Sequence, residues 1–242
     1  MSDQQAAGPP PQLEDPRVRE AMTPVLELLR AERSAVSSIT EPQRAWQVHV
    51  ADSLSGLVVP ALAEAAEIAD VGSGAGFPGL ALAAALPTAR VDLIESVGRK
   101  AEFIGRAAAI GQLANTRVIA DRAETWGASA PPEGGREAYE AATARAVGRL
   151  STLAELASPL LRNGGTLVAW KGRRDADEEA ELERAAQRLA MQPVEILAVG
   201  PYAGSRHRHL HVVRKSGSTP DELPRRPGIA KKRPFGARRG PG

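Results

Sequence analysis

Apolar side chains at Val18, Met22, Val25, Leu26 and Leu29 recur at helical spacing and predict a helix that begins at Pro16. A second helical stretch follows Thr40-Glu41-Pro42 and carries Trp46, Val50, Leu54 and Leu57. Downstream, short apolar runs alternate with helical ones. Ala66–Val71, Arg90–Glu95, Thr116–Ala120, Tyr139–Thr143 and Thr166–Trp170 read as strands. Pro78–Leu86, Gly98–Gly111, Leu150–Arg162 and Asp175–Leu189 read as helices, the third capped by Asn163-Gly164-Gly165 and the fourth a charged, solvated face. Val194–Val199 and His207–Val213 are close enough to form an antiparallel hairpin at a sheet edge. This alternation predicts an α/β fold, Rossmann-like, with a parallel core and helices on both faces of the sheet. The first twelve residues read as disordered, and the helices up to residue 60 as an extension of the sheet domain.

The segment Asp70-Val71-Gly72-Ser73-Gly74-Ala75-Gly76-Phe77-Pro78-Gly79 carries the most chemistry. It follows a strand and opens a helix, where glycines let a ligand lie against bare main chain and free amides bind an anion. No Gly-Lys-Ser/Thr follows, which excludes a triphosphate P-loop. Two cofactors fit. Gly74, Gly76 and Gly79 spell the dinucleotide pattern, with Glu95 near the spacing of a ribose-binding acid. Asp70, directly before the loop, repels a pyrophosphate but suits the ammonium group of S-adenosylmethionine (SAM), and so favours SAM over NAD.

Composition narrows the chemistry further. The chain has 242 residues and no cysteine, so disulfides, thiolate-held metals and cysteine nucleophiles are excluded. His207, His209 and His211 alternate, but no cysteine or evident carboxylate completes a site, and no metal is expected. No apolar run approaches the ~20 residues of a membrane helix, and MSDQQAAGPPPQ resembles no secretory signal, so the expected setting is cytoplasmic and without a membrane. From Lys215 onward eight Lys/Arg face only Asp221 and Glu222, a net of +6; with the whole chain at +2, the remainder carries −4. A basic tail on an acidic body predicts a polyanionic partner. Deleting Gly228–Gly242 is expected on this reading to weaken polyanion binding and to spare the cofactor.

Six segments occur in order: DVGSGAGFPGLALA, LIESVGRKAEFI, DRAETW, TARAVGRL, LVAWKG and RHLHVV, followed by LPRRPGIAKKRP. Together they resemble the RsmG/GidB family of bacterial 16S ribosomal RNA guanine-N7 methyltransferases. The resemblance implies a class I SAM-dependent methyltransferase fold with a seven-stranded sheet at residues 61–215, N-terminal helices at 13–60 and a basic tail at 216–242. It implies SAM as cofactor, held by Gly72, Phe77, Glu95, Ala123, Glu124 and Arg145, to which the chemistry of the loop adds Gly74. Glu95 stands where the family usually has Asp. Arg145 and Lys171, at the ends of predicted parallel strands, and the rim residue Arg122 are implied to position substrate. The partner implied is ribosomal RNA or an assembling small ribosomal subunit, met by a monomer. Val48 replaces the arginine usual before His49, and Arg33-Ser34-Ala35-Val36 replaces a Trp/Asn-rich stretch. His49 and Asp52, three apart, are expected to brace their helix against the glycine loop, and the three tryptophans to pack in the core or a pocket wall.

Guanine N7 carries a lone pair and no proton, so its methylation needs orientation and not a general base. The readings that remain beside it are a SAM methyltransferase with another substrate, an NAD-binding oxidoreductase, and an RNA-binding protein without catalysis.

Overall fold

A computed structural model describes residues 8–32, 41–145 and 148–237. The substituted stretch Arg33–Val36, Ala146-Val147 of the fourth motif, and Arg238 and Arg239 of the tail lie outside the described residues. Expected disorder to residue 12 gives way at Pro11–Glu14, a 3₁₀ turn whose Leu13 packs on the core.

Helix α1 (Pro16–Ala31) is capped by Asp15, whose carboxylate accepts from the Arg17 amide, and it buries Val18, Met22, Val25 and Leu29 as its spacing requires. The second helical stretch is interrupted: α2 (Pro42–Ala45), a π-helical turn (Trp46–Ala51), α3 (Asp52–Leu54), a 3₁₀ turn (Ser55–Val58) and α4 (Pro60–Ala63). Then follow β1 (Glu67–Val71), α5 (Gly79–Ala85), β2 (Arg90–Ile94), α6 (Gly98–Ile110), β3 (Thr116–Ile119), α7 (Ala123–Trp126) and β4 (Tyr139–Arg145). The chain continues through α8 (Leu150–Ala157), β5 (Leu161–Lys171), α9 (Ala176–Ala186), β6 (Met191–Ala198), β7 (His209–Lys215) and α10 (Ile229–Lys232).

The seven strands lie in the order β3-β2-β1-β4-β5-β7-β6; only β7 runs antiparallel to its neighbours β5 and β6. Successive residues of each strand feed opposite faces. Ile68, Val91, Leu93, Ala141 and Val168 join α1, α5 and α6 in one core, while Ala69, Ile94, Ala142 and Leu167 join α8 and α9 in the other.

Three elements depart from the sequence reading. The helix predicted to reach Arg162 stops at Ala157, and Asn163-Gly164-Gly165 lies inside β5. There Tyr139 pairs with Leu161 but Ala141 with Thr166, so β5 bulges. Gly164 has φ +83°, and a Cβ on Gly165 would meet two β4 carbonyl oxygens at 3.0–3.1 Å, so these glycines serve the bulge and not a helix cap. The face of α9 is not simply solvated, since Glu178 and Glu181 are buried and accept from Lys171, Arg149, Ser151 and the Leu150 amide. Residues 199–208 separate β6 from β7, a longer connection than expected. Within β6 the pairing register shifts between Pro193 and Glu195.

Candidate functional site

The loop after β1 turns on three glycines with positive φ: Gly72 (68°), Gly74 (60°) and Gly76 (88°). The amides of Gly72 and Ser73 donate to Ile94 O (2.9 and 3.1 Å), which ties the loop to the end of β2. A Cβ on Gly74 would meet only Gly72 O, at 3.9 Å, so this residue presents bare main chain to open space. Glu95 follows β2, is buried, and accepts from the amides of Gly74 (2.9 Å) and Val97 (2.8 Å). The expected ribose-binding carboxylate is thus also the brace of the loop.

Asp70 behaves otherwise than the sequence suggested. Its carboxylate is wholly buried, accepting from Gly79 N (3.1 Å) and Thr143 Oγ1 (2.9 Å), and it does not face a ligand. Burial raises its pKa above the usual carboxylate value. A Cβ on Gly79 would stand 2.8 Å from Asp70 Oδ2, so Gly79 is glycine because of Asp70 and not because a pyrophosphate passes it.

Beside the loop lies a cleft of about 200 Å³. Val71 and Ile94 form its apolar floor, with Gly72, Arg122, Ala123 and Glu124 along one side. Helix α7 is anchored by a buried chain of hydrogen bonds. Trp126 Nε1 donates to Tyr139 Oη (2.8 Å), and Tyr139 donates to Asp92 Oδ2 (2.6 Å). Asp92 also pairs with Arg117. The cleft has further lining that sequence reasoning missed: Thr152 and Leu156 of α8, and Gly228, Ala230 and Lys231. The only signal of the last three was the terminal LPRRPGIAKKRP motif.

At the other end of the loop, Phe77 stacks on His49 (centroids 4.9 Å apart), the brace expected of that helix. The Arg145 guanidinium lies 5.8 Å from the Phe77 centroid. Its Nη1 donates to Val48 O (2.9 Å) and Asp52 Oδ2 (3.2 Å), and Arg208 approaches Asp52 Oδ1 at 3.2 Å. Burial raises the Asp52 pKa, against the two cations beside it. Trp170 Nε1 donates to Asp52 O (2.8 Å), fixing the same helix from β5. The structure therefore brings Gly72, Arg122, Ala123 and Glu124 round one cleft; Gly74 and Glu95 are bonded to each other in the adjoining loop, and Phe77 and Arg145 meet at the helical side of that loop. Lys171 is set apart: its Nζ donates to Glu178 Oε1 (2.7 Å) and Gly148 O (3.0 Å). His209 meets Gly172 O through Nδ1 (2.7 Å), while His211 is buried.

Burial pushes His49 and His211 down to about 4, so both are neutral in the fold near pH 7. Unfolded imidazoles titrate near 6.5. Between about 4 and 6.5 the unfolded chain binds more protons, so the contribution of each histidine is complete above 6.5 and is lost as pH falls to 4. Each is worth about 3 kcal/mol. Urea unfolding at pH 7.5 and 4.5 should show His211→Gln losing less stability on acidification than the parent chain; equal losses would contradict the assignment.

Residues 26–210 match the family described as rRNA small subunit methyltransferase G (GidB). The Chloroflexus aggregans protein called ribosomal RNA small subunit methyltransferase G is 41% identical over 156 residues, which span 62% of this chain and 62% of that relative's length. The Bacillus licheniformis protein of the same name is 34% identical over 206 residues, 84% of each chain. Among solved structures, the Burkholderia thailandensis 1,6-didemethyltoxoflavin-N1-methyltransferase, which holds S-adenosylhomocysteine, superposes with TM-score 0.52 and 20% identity over 79% of this chain and 88% of that one. That likeness shows a shared fold.

Proposed function

This chain belongs to the rRNA small subunit methyltransferase G family, and from that premise we propose that it transfers a methyl group from SAM to N7 of a guanosine in small-subunit (16S) ribosomal RNA. The observation that carries the reading is the cleft lined by Gly72 of the glycine loop and by Ala123 and Glu124 of α7, with the loop itself held by the buried carboxylate of Glu95. The residues fit the cofactor. Gly72, Gly74 and Phe77 would hold it along the loop, Glu95 would accept hydrogen bonds from it, and Ala123 and Glu124 would receive its base. When bound, SAM supplies an electrophilic methyl group on its sulfonium centre.

The protein's own task is to align N7 and exclude water, because N7 has no proton to lose. A donor on N7 itself would block the reaction, so Arg145, Arg122 and Lys171 grip O6, ribose or phosphate. Arg145 also holds the N-terminal helices against the sheet, which sets the Phe77 face. Lys171 reaches a phosphate by exchanging Glu178 for it. Exposed Arg226, Lys231, Lys232 and Arg233 add a salt-dependent attraction to the RNA. No helix among the described residues is long and apolar enough to cross a membrane. The working form is a cytoplasmic monomer acting on ribosomal RNA or an assembling small subunit, with residues 61–215 as the methyltransferase domain and 13–60 as its helical extension.

Mapping modified nucleosides in 16S ribosomal RNA from a strain lacking this protein should show the loss of one 7-methylguanosine; an unchanged set would refute the assignment. Single-turnover transfer on saturating RNA should be nearly independent of pH from about 6 to 9, since His49 is already neutral across this range. Dependence on a single ionisation in that window would argue for a catalytic base and against N7.

A further inference from the structure

The residues beyond β7 do not hang free. Lys215 is buried, and its Nζ donates to Ser158 O and to Thr219 Oγ1 (2.8 Å). Leu223 enters the core, and Arg136 donates to its carbonyl (3.0 Å). Arg225 forms a two-point pair with Glu155 of α8, its Nε 2.6 Å from Oε1, and Glu155 is only 3% exposed. Phe235 is a second anchor, buried beneath the guanidinium groups of Arg225 (3.8 Å) and Arg188 (4.2 Å). Between these anchors the chain arches across the cleft. Gly228, at φ +81°, donates its amide to Glu124 Oε1 (2.7 Å), and Ala230 O accepts from Thr152 Oγ1 (3.2 Å). The arch thus joins α7 to α8, both of which line the cleft.

We propose that Gly228–Lys231 is a cofactor-binding element, closing the adenosine end of the site and fixing the Glu124 carboxylate. This rests on the SAM reading of the cleft. One Glu124 oxygen is held by Gly228 N–H, so the carboxylate meets the ligand in one orientation. Ala230 and Leu156 supply apolar cover opposite the Val71 and Ile94 floor. At about 200 Å³ the cleft is smaller than the roughly 300–1,000 Å³ of an ordinary small-molecule site, which suits it to part of the cofactor, on this proposal the adenosine end. The sequence-based expectation for deleting Gly228–Gly242 is therefore reversed: cofactor affinity falls too.

The test uses the intact chain and one variant. Trypsin cleaves after Lys231 and Lys232, both exposed, and SAM or S-adenosylhomocysteine should slow these cuts at least tenfold relative to cleavage after exposed Arg173. Gly228→Pro removes the amide donor and bars φ +81°. It should raise Kd for both ligands by the same factor, tenfold or more, because both carry the same adenosine, measured below the Tm of the variant so that the folded chain is compared. An unprotected arch together with an unchanged Kd in Gly228→Pro overturns the proposal while leaving the cofactor reading intact. A parent chain that binds neither ligand overturns both, and unequal losses for the two ligands place the arch at the methyl end and overturn it.

Discussion

Replacing Gly74 by Val should abolish SAM binding, with affinity falling more than a hundredfold. The residue sits at φ +60°, and its missing Cβ points into open space beside the loop, where only Gly72 O lies within 4 Å. A β-branched side chain there meets two penalties. It fills the space of the ligand, and it strains the backbone by about 1–3 kcal/mol, which loosens a turn whose amides are tied to Ile94 O and to Glu95. Glu95→Ala should act less strongly, by roughly 1.5–3 kcal/mol, through loss of a charged acceptor both to ligand hydroxyls and to the Gly74 amide. Calorimetry on folded protein decides the matter: a Gly74→Val chain that binds SAM within threefold of the parent would remove the glycine loop from the cofactor site.

Asp92→Ala should cost about 2–3 kcal/mol of stability. Asp92 is fully buried in β2 and is the common acceptor for Tyr139 Oη and Arg117. Without it the Tyr139 hydroxyl, whose ionisation burial already suppresses, loses its acceptor, and Trp126 loses a fixed partner. Arg117 is half exposed and turns to water, so the cost falls mainly on the tyrosine and the vacated space. Because Trp126 ends α7, the same change should weaken SAM binding by unseating Ala123 and Glu124. Urea unfolding giving a loss below 1 kcal/mol would show the chain of hydrogen bonds to be incidental.

The sheet was legible because its strands are short apolar runs whose ends are set by glycines and charges. Each of the seven appears within a few residues of its expected place, except that β5 begins five residues early. That exception has a physical cause: Asn163-Gly164-Gly165 satisfies a helix cap and a strand bulge equally well, and only the presence of β4 decides between them. Asp70 was misread for a similar reason. A carboxylate at a strand end looks ligand-facing in sequence, but strand alternation and the Gly79 amide turn it beneath the loop. The glycine loop and Glu95 were readable because their chemistry is local. The Gly228–Lys231 wall was not, since four residues with no catalytic group matter there only through a contact with Glu124, 104 positions away.

The two outer strands of the sheet bear on how the protein behaves at high concentration. β3 is only four residues long and carries the charged Arg117, while β6, though longer, is broken in register at Pro193. Proline offers no amide to an incoming chain, and the bulge bends the adjoining row of carbonyls out of line. Neither margin is a straight template on which another polypeptide could extend the ladder. The exposed Val194 is therefore a poor seed for fibrous self-association, although it stands on an open border of the sheet. Solubility here is a property of backbone geometry at the two borders as much as of surface charge.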